Sequence, residues 1–279
     1  MKIITSVKDQ REYCQSLISD KKNISFIPTM GNFHLGHQSL FESSAKDEIS
    51  IASIFINPLQ FDDNNDYISY PKSLNEDIDI LKLHKIDCLF LPNEKDIISD
   101  LMSIENILLP DIFNKLCGRY RANHFEGVFV IVKKLFEIIQ PSKVYFGRKD
   151  YQQLLLVKYL VNEYFNSQIK IIGCEIVRDE NGLALSSRNN KLTNKQKKVA
   201  SLVYKELHKL KLLLINDKTI FSQYKNQLIK KFTDNNIIVE YLEVLSNDNL
   251  DDFIKKDKIY NIFIAFYVNN IRLIDNIEI

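Results

Sequence analysis

Short apolar runs alternate with longer amphipathic stretches along the first two-thirds of the chain. Residues 24–27 read as a strand stopped by Pro28, and residues 51–56 as a second stopped by Pro58. Residues 88–91 run into Pro92 and residues 144–146 into Gly147, and they read the same way. Runs this short and this apolar suit strands buried on both faces, as in a parallel sheet. Between them lie helical spacings at 74–84, 125–139 and 151–165, with a further helix start expected near Leu35. Strands alternating with helices predict an α/β fold on a parallel sheet, whose ligands sit beyond the carboxyl ends of the strands. The segments that follow those ends are the places to look for chemistry.

The pattern changes near Arg178. Thr193 opens a helix that carries Val199, Leu202, Val203, Leu207, Leu210 and Leu214 on one face, and a second helix spans 220–232. Residues 238–245, 260–268 and 271–277 then read as strands of a small mixed sheet. The chain divides on this reading into a domain at 1–178 and a smaller α+β domain at 179–279, joined by a turn at 179–182. The acidic cluster at 62–66 reads as a mobile loop.

Composition sharpens the search. The chain has 279 residues but only 7 Gly and 6 Pro, against typical usage of roughly 7% and 5%. Lys far outnumbers Arg and Asn and Ile are abundant, the mark of an AT-rich coding bias. Each Gly, Pro or Arg that remains is therefore a candidate for a positional requirement. Neither Gly nor Pro occurs beyond Gly182, and five of the seven Arg lie between Arg119 and Arg188. With 45% apolar and 26% charged residues the composition is that of a globular protein. A net charge of +1 gives no sign of a nucleic-acid or anionic-membrane partner. No apolar run approaches the ~18 residues of a membrane span, and early charges argue against a secretion signal. Four scattered cysteines without a CxxC pair predict reduced thiols in a cytoplasmic protein.

Five segments could carry chemistry. After the first strand, PTMGNFHLGH (28–37) puts Gly31 in a turn and His34 and His37 at a helix start. There backbone N–H groups and the helix dipole favour an anion such as phosphate, though surface histidines or a metal site fit the same spacing. After the second strand, Gln60 could orient a small polar substrate. Glu76 and Asp77, further on, open a helix where carboxylates are stabilising, or alternatively hold Mg²⁺. GRYRANH (118–124) brings two Arg and a His to a helix N-terminus, for salt bridging or for anion binding. FGRKDYQQ (146–153) offers Gly147 for close backbone approach, Lys149 for phosphate, Asp150 as a cap or a ribose or Mg²⁺ ligand, and Gln153 on the same mouth. Finally GLALSSR (182–188) ends in two hydroxyls and an Arg, either a phosphate clamp or a serine-capped hinge.

Taken in order, PTMGNFHLGH, SIFINPLQF with YPKSLNEDI, HFEGV, FGRKDYQQL and NGLALSSRN resemble the successive motifs of the pantoate–β-alanine ligases, members of the HIGH-type nucleotidyltransferases. The resemblance runs from about residue 24 to 195. It implies a Rossmann-like nucleotide-binding sheet with a smaller C-terminal lid, ATP as substrate with Mg²⁺, and a cytoplasmic homodimer. It implies a two-step reaction as well: pantoate is adenylated by ATP, and the amine of β-alanine then displaces AMP. In this chain Met30, Gly31, His34 and His37 would line the ATP site, with His37 as proton donor. Gln60 and Gln153 would hold pantoate, with Gln60 also beside β-alanine. Gly147, Arg148, Lys149, Asp150 and Val177 would contact ATP, with Leu185, Ser186, Ser187 and Arg188 closing over the triphosphate. Catalysis would rest on His34, His37, Lys149 and Arg188, and Asp77 is the candidate metal ligand.

The chain departs from the family pattern in three places. The usual RPGHF becomes Arg121-Ala122-Asn123-His124-Phe125, FGEKD carries Arg148 for Glu, and MSSRN carries Leu185 for Met. Another adenylyltransferase of the same superfamily is the alternative enzyme reading. A non-catalytic nucleotide-binding module is a third, disfavoured by the retained His34, His37, Lys149, Asp150, Ser186, Ser187 and Arg188.

Overall fold

The computed structural model describes residues 1–44, 48–62, 64–99, 107–252 and 258–279. The chain begins with β1 (Lys2–Ile4), α1 (Val7–Ser19), β2 (Ile24–Thr29), α2 (Leu35–Ser43) and β3 (Ile49–Ile54). It continues through α3 (Asn64–Ile68), α4 (Leu74–Leu83), β4 (Cys88–Phe90), α5 (Glu94–Ile98), α6 (Cys117–Tyr120), α7 (His124–Ile139), β5 (Lys143–Gly147), α8 (Tyr151–Tyr164) and β6 (Lys170–Cys174). The six strands form one parallel sheet in the order β1-β4-β3-β2-β5-β6. From β4 to β6 this is the 3-2-1-4-5 order of a Rossmann-like sheet, with the strand order reversing between β2 and β5. A ligand crevice is expected at that switch point.

Side chains alternate across this sheet with period two. Phe26, Ile51, Cys88, Phe90, Val144 and Phe146 face one apolar layer with residues of α1, α7 and α8. Ile27, Ala52, Leu89 and Tyr145 face the other, with Leu40 and Phe41 of α2 and Leu81 of α4. Both faces are covered, which is why the strands read as uninterrupted apolar runs. Helix α7 is buried along most of its length and leaves only Glu126, Lys133, Lys134 and Glu137 outside the core.

Beyond β6 come α9 (Asn194–Asn216), α10 (Phe221–Asp234), β7 (Ile237–Ser246), β8 (Tyr260–Val268) and β9 (Ile271–Glu278). Thr193 caps α9 in a reciprocal box with Gln196. The predicted mixed sheet is instead wholly antiparallel, in the order β7-β8-β9. Its last link is a two-residue hairpin at Asn269-Asn270 with both φ positive, 48° and 65°. That geometry demands residues tolerant of the left-handed region, and Asn supplies it where the chain has no Gly left. Ile262, Ile264 and Phe266 of β8 pack on Leu207, Leu210 and Phe232 of α9 and α10. Phe263 and Ala265, on the opposite face, join the core of the first sheet. Strand β8 is therefore sandwiched between two cores.

The acidic cluster predicted as a mobile loop is partly helical over Asn64–Ile68, and Asp63 of that cluster lies outside the described residues. The four cysteines are free and buried, and no described helix is long and apolar enough to cross a membrane. The capping box carries a testable consequence. Thr193→Ala removes its hydroxyl acceptor and is expected to cost about 1 kcal/mol, read as a fall of about 2–4 °C in the thermal midpoint.

Candidate active site

Strand β2 ends at Thr29 and the chain turns sharply before α2. Gly31 makes that turn at φ 79°, and a Cβ there would meet a carboxylate oxygen of Asp77 at 2.9 Å. Asp77 sits in the first turn of α4, only 2% exposed. Its two oxygens accept the backbone N–H groups of Asn32 at 2.7 Å and Phe33 at 2.8 Å. Asp77, the candidate metal ligand, thus has both oxygens engaged in holding the turn, and Oδ1 also takes the hydroxyl of Ser73 at 3.3 Å.

The turn so held aims two imidazoles. Nδ1 of His34 accepts the N–H of Gly36 at 3.1 Å, and Nδ1 of His37 accepts the N–H of His34 at 3.3 Å. With both Nδ1 atoms acting as acceptors, both rings carry their proton on Nε2. Their centroids lie 4.1 Å apart. Burial and the ammonium of Lys149 push His34 down to about 4. Burial, His34 and Lys149 together hold His37 well below the ordinary imidazole range. Both are neutral N–H donors.

These rings line a cavity of about 240 Å³ beyond the carboxyl ends of β2 and β5, at the switch point. Met30, Gln60, Gly147, Lys149, Asp150, Gln153, Val177, Leu185, Ser186, Ser187 and Arg188 line it too. Of the residues predicted from sequence, Gly31, Arg148 and Asp77 do not. A second cavity of about 430 Å³ lies between the first sheet and the C-terminal sheet. Lys149, Asp150, Gln153, Ser186 and Arg188 line both, so the two spaces adjoin.

The phosphate-clamp candidates occupy a tight turn. Ser186 Oγ accepts the N–H of Arg188 at 3.3 Å, and Ser187 Oγ donates to the carbonyl of Asn32 at 3.2 Å, tying clamp to histidine turn. Arg188 pairs with Asp66 at 2.7 Å, and Lys191 reaches the same carboxylate at 3.2 Å. Burial would raise the Asp66 carboxyl, but the two cations beside it prevail and hold it below its usual value.

Sequence reading left the 118–124 segment divided between salt bridging and anion binding. The structure gives it a positioning task. Arg121 donates to Asp62 at 2.7 Å, to the carbonyl of Gln60 at 2.9 Å and to Nε2 of His124 at 3.0 Å. His124 donates from Nδ1 to the same Gln60 carbonyl at 2.8 Å. Burial and the neighbouring guanidinium push His124 down to about 3. Gly127, one turn on, packs against the carbonyl of Leu59, which a Cβ would approach to 2.2 Å. The Gln60 amide is left to touch Met30 Sδ and Asn57. Asn57, buried at 3%, was missed from sequence because an Asn before Pro reads as a turn residue.

A family model described as pantoate-beta-alanine ligase matches residues 2–278. The chain belongs to the pantoate–β-alanine ligase family. The pantothenate synthetase of Thermosipho africanus is 37% identical, covering 100% of each chain. That of Leptospira interrogans is 38% identical over 92% of this chain and 91% of its own. The solved pantoate-beta-alanine ligase of Francisella tularensis, complexed with beta-gamma ATP and beta-alanine, superposes with a TM-score of 0.82 at 38% identity. It covers 99% of this chain and 97% of its own. The pantothenate synthetase of Thermus thermophilus superposes with a TM-score of 0.81 at 29% identity, covering 99% of both. The enzyme is a ligase that joins pantoate to β-alanine.

Two departures of this ligase from the family pattern have structural reasons. Asn123 stands at φ 58°, so it adopts the left-handed conformation in which Gly is usual and Asn is tolerated. Arg148, expected at the nucleotide, turns outward instead and pairs with Glu175 at 3.0 Å, both side chains well exposed. The added charge meets its counter-charge at Glu175, which lines the cavity although Arg148 does not. Leu185 lines the cavity and donates its N–H to the carbonyl of Val177 at 3.0 Å, a backbone bond indifferent to Leu for Met.

The depressed histidines make stability depend on pH. Unfolded imidazoles titrate near ~6.5, so below that pH the unfolded chain binds more protons and stability falls as pH falls. The loss runs down to about 4 for His34 and about 3 for His124. The urea midpoint at about pH 5 is expected below that at about pH 7, with a smaller difference in His124→Asn. An undiminished difference in that variant removes His124 from the account.

Proposed function

We propose that the ligase works through a pantoyl adenylate, formed and consumed among the residues of the two adjoining cavities. The observation that carries this is the convergence of two neutral Nε2–H donors, Lys149 and the Ser186–Arg188 clamp on one space at the switch point. Backbone and donors of this kind suit a nucleoside triphosphate. ATP and β-alanine, the ligands of the Francisella protein, are the ligands proposed here, with pantoate between Gln60 and Gln153.

In the first step a pantoate carboxylate oxygen bonds to the α-phosphorus, and the bond to the bridging oxygen breaks, releasing diphosphate. Negative charge grows on the phosphoryl oxygens, where Lys149 and the Nε2–H groups of His34 and His37 supply preorganised donors. Arg188, Ser186 and Ser187 hold the departing diphosphate. His37, the family's proton donor by resemblance, acts in this reading as a hydrogen-bond donor, because its surroundings disfavour the imidazolium that would give up a proton. In the second step the free amine of β-alanine attacks the acyl carbon, the C–N bond forms, and AMP leaves. The adenylate step is required because a free carboxylate has no leaving group that an amine can displace.

Mg²⁺ belongs to this reading as a companion of ATP. Mg²⁺ is usually held by one or two carboxylates, substrate phosphates and water, and Asp150, which lines both cavities, is a carboxylate placed for it. It would add charge neutralisation on the phosphates. The reading further divides the chain at 178/179 into a nucleotide domain and a lid, and makes the enzyme a cytoplasmic homodimer.

Diphosphate release requiring only ATP and pantoate, with AMP release requiring β-alanine as well, is the expected pattern. AMP release independent of β-alanine would overturn the order of steps. Lys149→Ala is expected to slow diphosphate formation by at least ~10²-fold, as for the loss of a preorganised donor; near-wild-type rates remove Lys149 from its role. Asp77→Asn is expected to lower stability and activity while leaving the Mg²⁺ concentration for half-maximal rate unchanged. A raised Mg²⁺ requirement in that variant would restore Asp77 as a ligand.

A further inference from the structure

The C-terminal sheet touches the nucleotide site through two adjacent residues of its last strand. Asn276 is 4% exposed. Its Nδ2 donates to the carbonyl of Arg148 and to that of Lys149, each at 3.0 Å. These are the first two residues of the short turn that joins β5 to α8 and carries Lys149 into the cavity. The amide cannot swing away. Its Oδ1 accepts from Asn261 Nδ2 at 3.2 Å, and its own backbone N–H is fixed on Asp275 at 2.8 Å.

Asp275 extends the same grip to the opposite wall. It binds Arg178 in a fork of 2.6 and 2.8 Å, across 97 residues of sequence. Arg178 also donates to the carbonyl of Asn276 at 3.3 Å and to that of Gly182 at 3.1 Å, and stacks 3.8 Å over the ring of Tyr204. Arg178 and Ala184 form an antiparallel bridge between Val177 and Leu185, both of which line the nucleotide cavity. One dipeptide on β9 thus holds the backbone beneath Lys149 and the strand pair facing it. A bidentate Arg–carboxylate pair is geometrically specific, and packed inside it sets distance as well as energy.

We propose that Asn276 is a positioning residue for Lys149. Through its two bonds to the 148–149 carbonyls, the C-terminal sheet sets where the ammonium stands relative to the α-phosphorus. The proposal rests on the role given to Lys149 above. A donor displaced by about 1 Å loses much of its hold on a transition state, on the order of 10²-fold in unfavourable cases. The role given to Lys149 above lies in the adenylation step, so that step should feel the change most.

The test is a double-mutant cycle read on the separate half-reactions of the full-length enzyme. Asn276→Ala is expected to slow diphosphate formation by about 10- to 100-fold, with KM for ATP changed by less than about threefold, since a transition-state contact is lost. Aminolysis of preformed pantoyl adenylate by β-alanine should stay near the wild-type rate. In the Lys149→Ala background, Asn276→Ala should add almost nothing, because the side chain it positions is gone. Asn276→Asp, isosteric but with an acceptor facing the two carbonyls, should reproduce the loss. Asn276→Ser, the smaller disturbance, should give an intermediate loss and keep the cycle measurable if the alanine variant unfolds. Losses that multiply in the double variant, or equal slowing of both half-reactions, would overturn the proposal in favour of a general packing role. A silent Lys149→Ala with a slow Asn276→Ala would instead sink the role of Lys149, and show that Asn276 acts on something else.

Discussion

A buried carboxylate holds the site together. Removing Asp77 from water is costly unless its charge is met by strong hydrogen bonds. Here it is met by two backbone N–H groups of the β2–α2 turn, and by its own place in the first turn of α4. Because the bonds come from consecutive residues, the turn has one geometry. From it follow the helix start at Leu35, the reciprocal backbone bonds of His34 and His37, and the outward aim of both Nε2–H groups. The same turn offers the Asn32 carbonyl to Ser187, so the clamp is registered against the histidines.

The remaining walls are set by similar backbone contacts from a distance. Gln60 is placed through its main-chain carbonyl, gripped by Arg121 and His124 at the start of α7, leaving its amide for the cavity. The neutral state of His124 serves this arrangement. Its Nδ1–H donates to a carbonyl while its Nε2 accepts from a guanidinium, a pattern that an imidazolium could not make. Neutral histidines at 34 and 37 follow the same logic beside Lys149. Each uses one nitrogen for the fold and leaves the other as a donor.

Much of the first sheet was legible because its strands are buried on both faces and have a Pro or Gly at or soon after their ends, so apolar runs mark β2, β3, β4 and β5, although β2 runs through Pro28 to Thr29. Strand β1 and helix α1 were missed, since Lys2 and Ile3 are exposed and the three-residue strand has no pattern to read. The antiparallel hairpin was hidden behind Asn269-Asn270, an unusual turn pair in a chain depleted of Gly. In the candidate site, cavity-lining residues such as His34, His37 and Lys149 were legible since they sit within contiguous motifs after strands. The residues that hold them were not. Asp77 lies 44 and 45 residues from its partners, and a carboxylate opening a helix suits a cap, a metal ligand or a loop anchor equally well. Arg121 and Asn276 act on main-chain carbonyls, and no side-chain pattern advertises a backbone acceptor.

The distribution of charge gives these contacts a common purpose. Lys149, Arg188 and Arg121 line both cavities, with Lys191 in the larger one, and Asp150, Asp66 and Asp62 stand beside them. A site meant for a triphosphate needs cations that persist without it, and each must be neutralised well enough to be buried in part. Pairing with a carboxylate does this at modest cost when one partner remains near solvent. Histidines would add charge to an already cationic cavity, and burial removes that charge while keeping their N–H groups. The site therefore holds its positive charge on lysines and arginines and its directional donors on neutral rings. With charge and direction carried separately, the direction depends on backbone geometry, which is why a buried carboxylate far along the chain governs it.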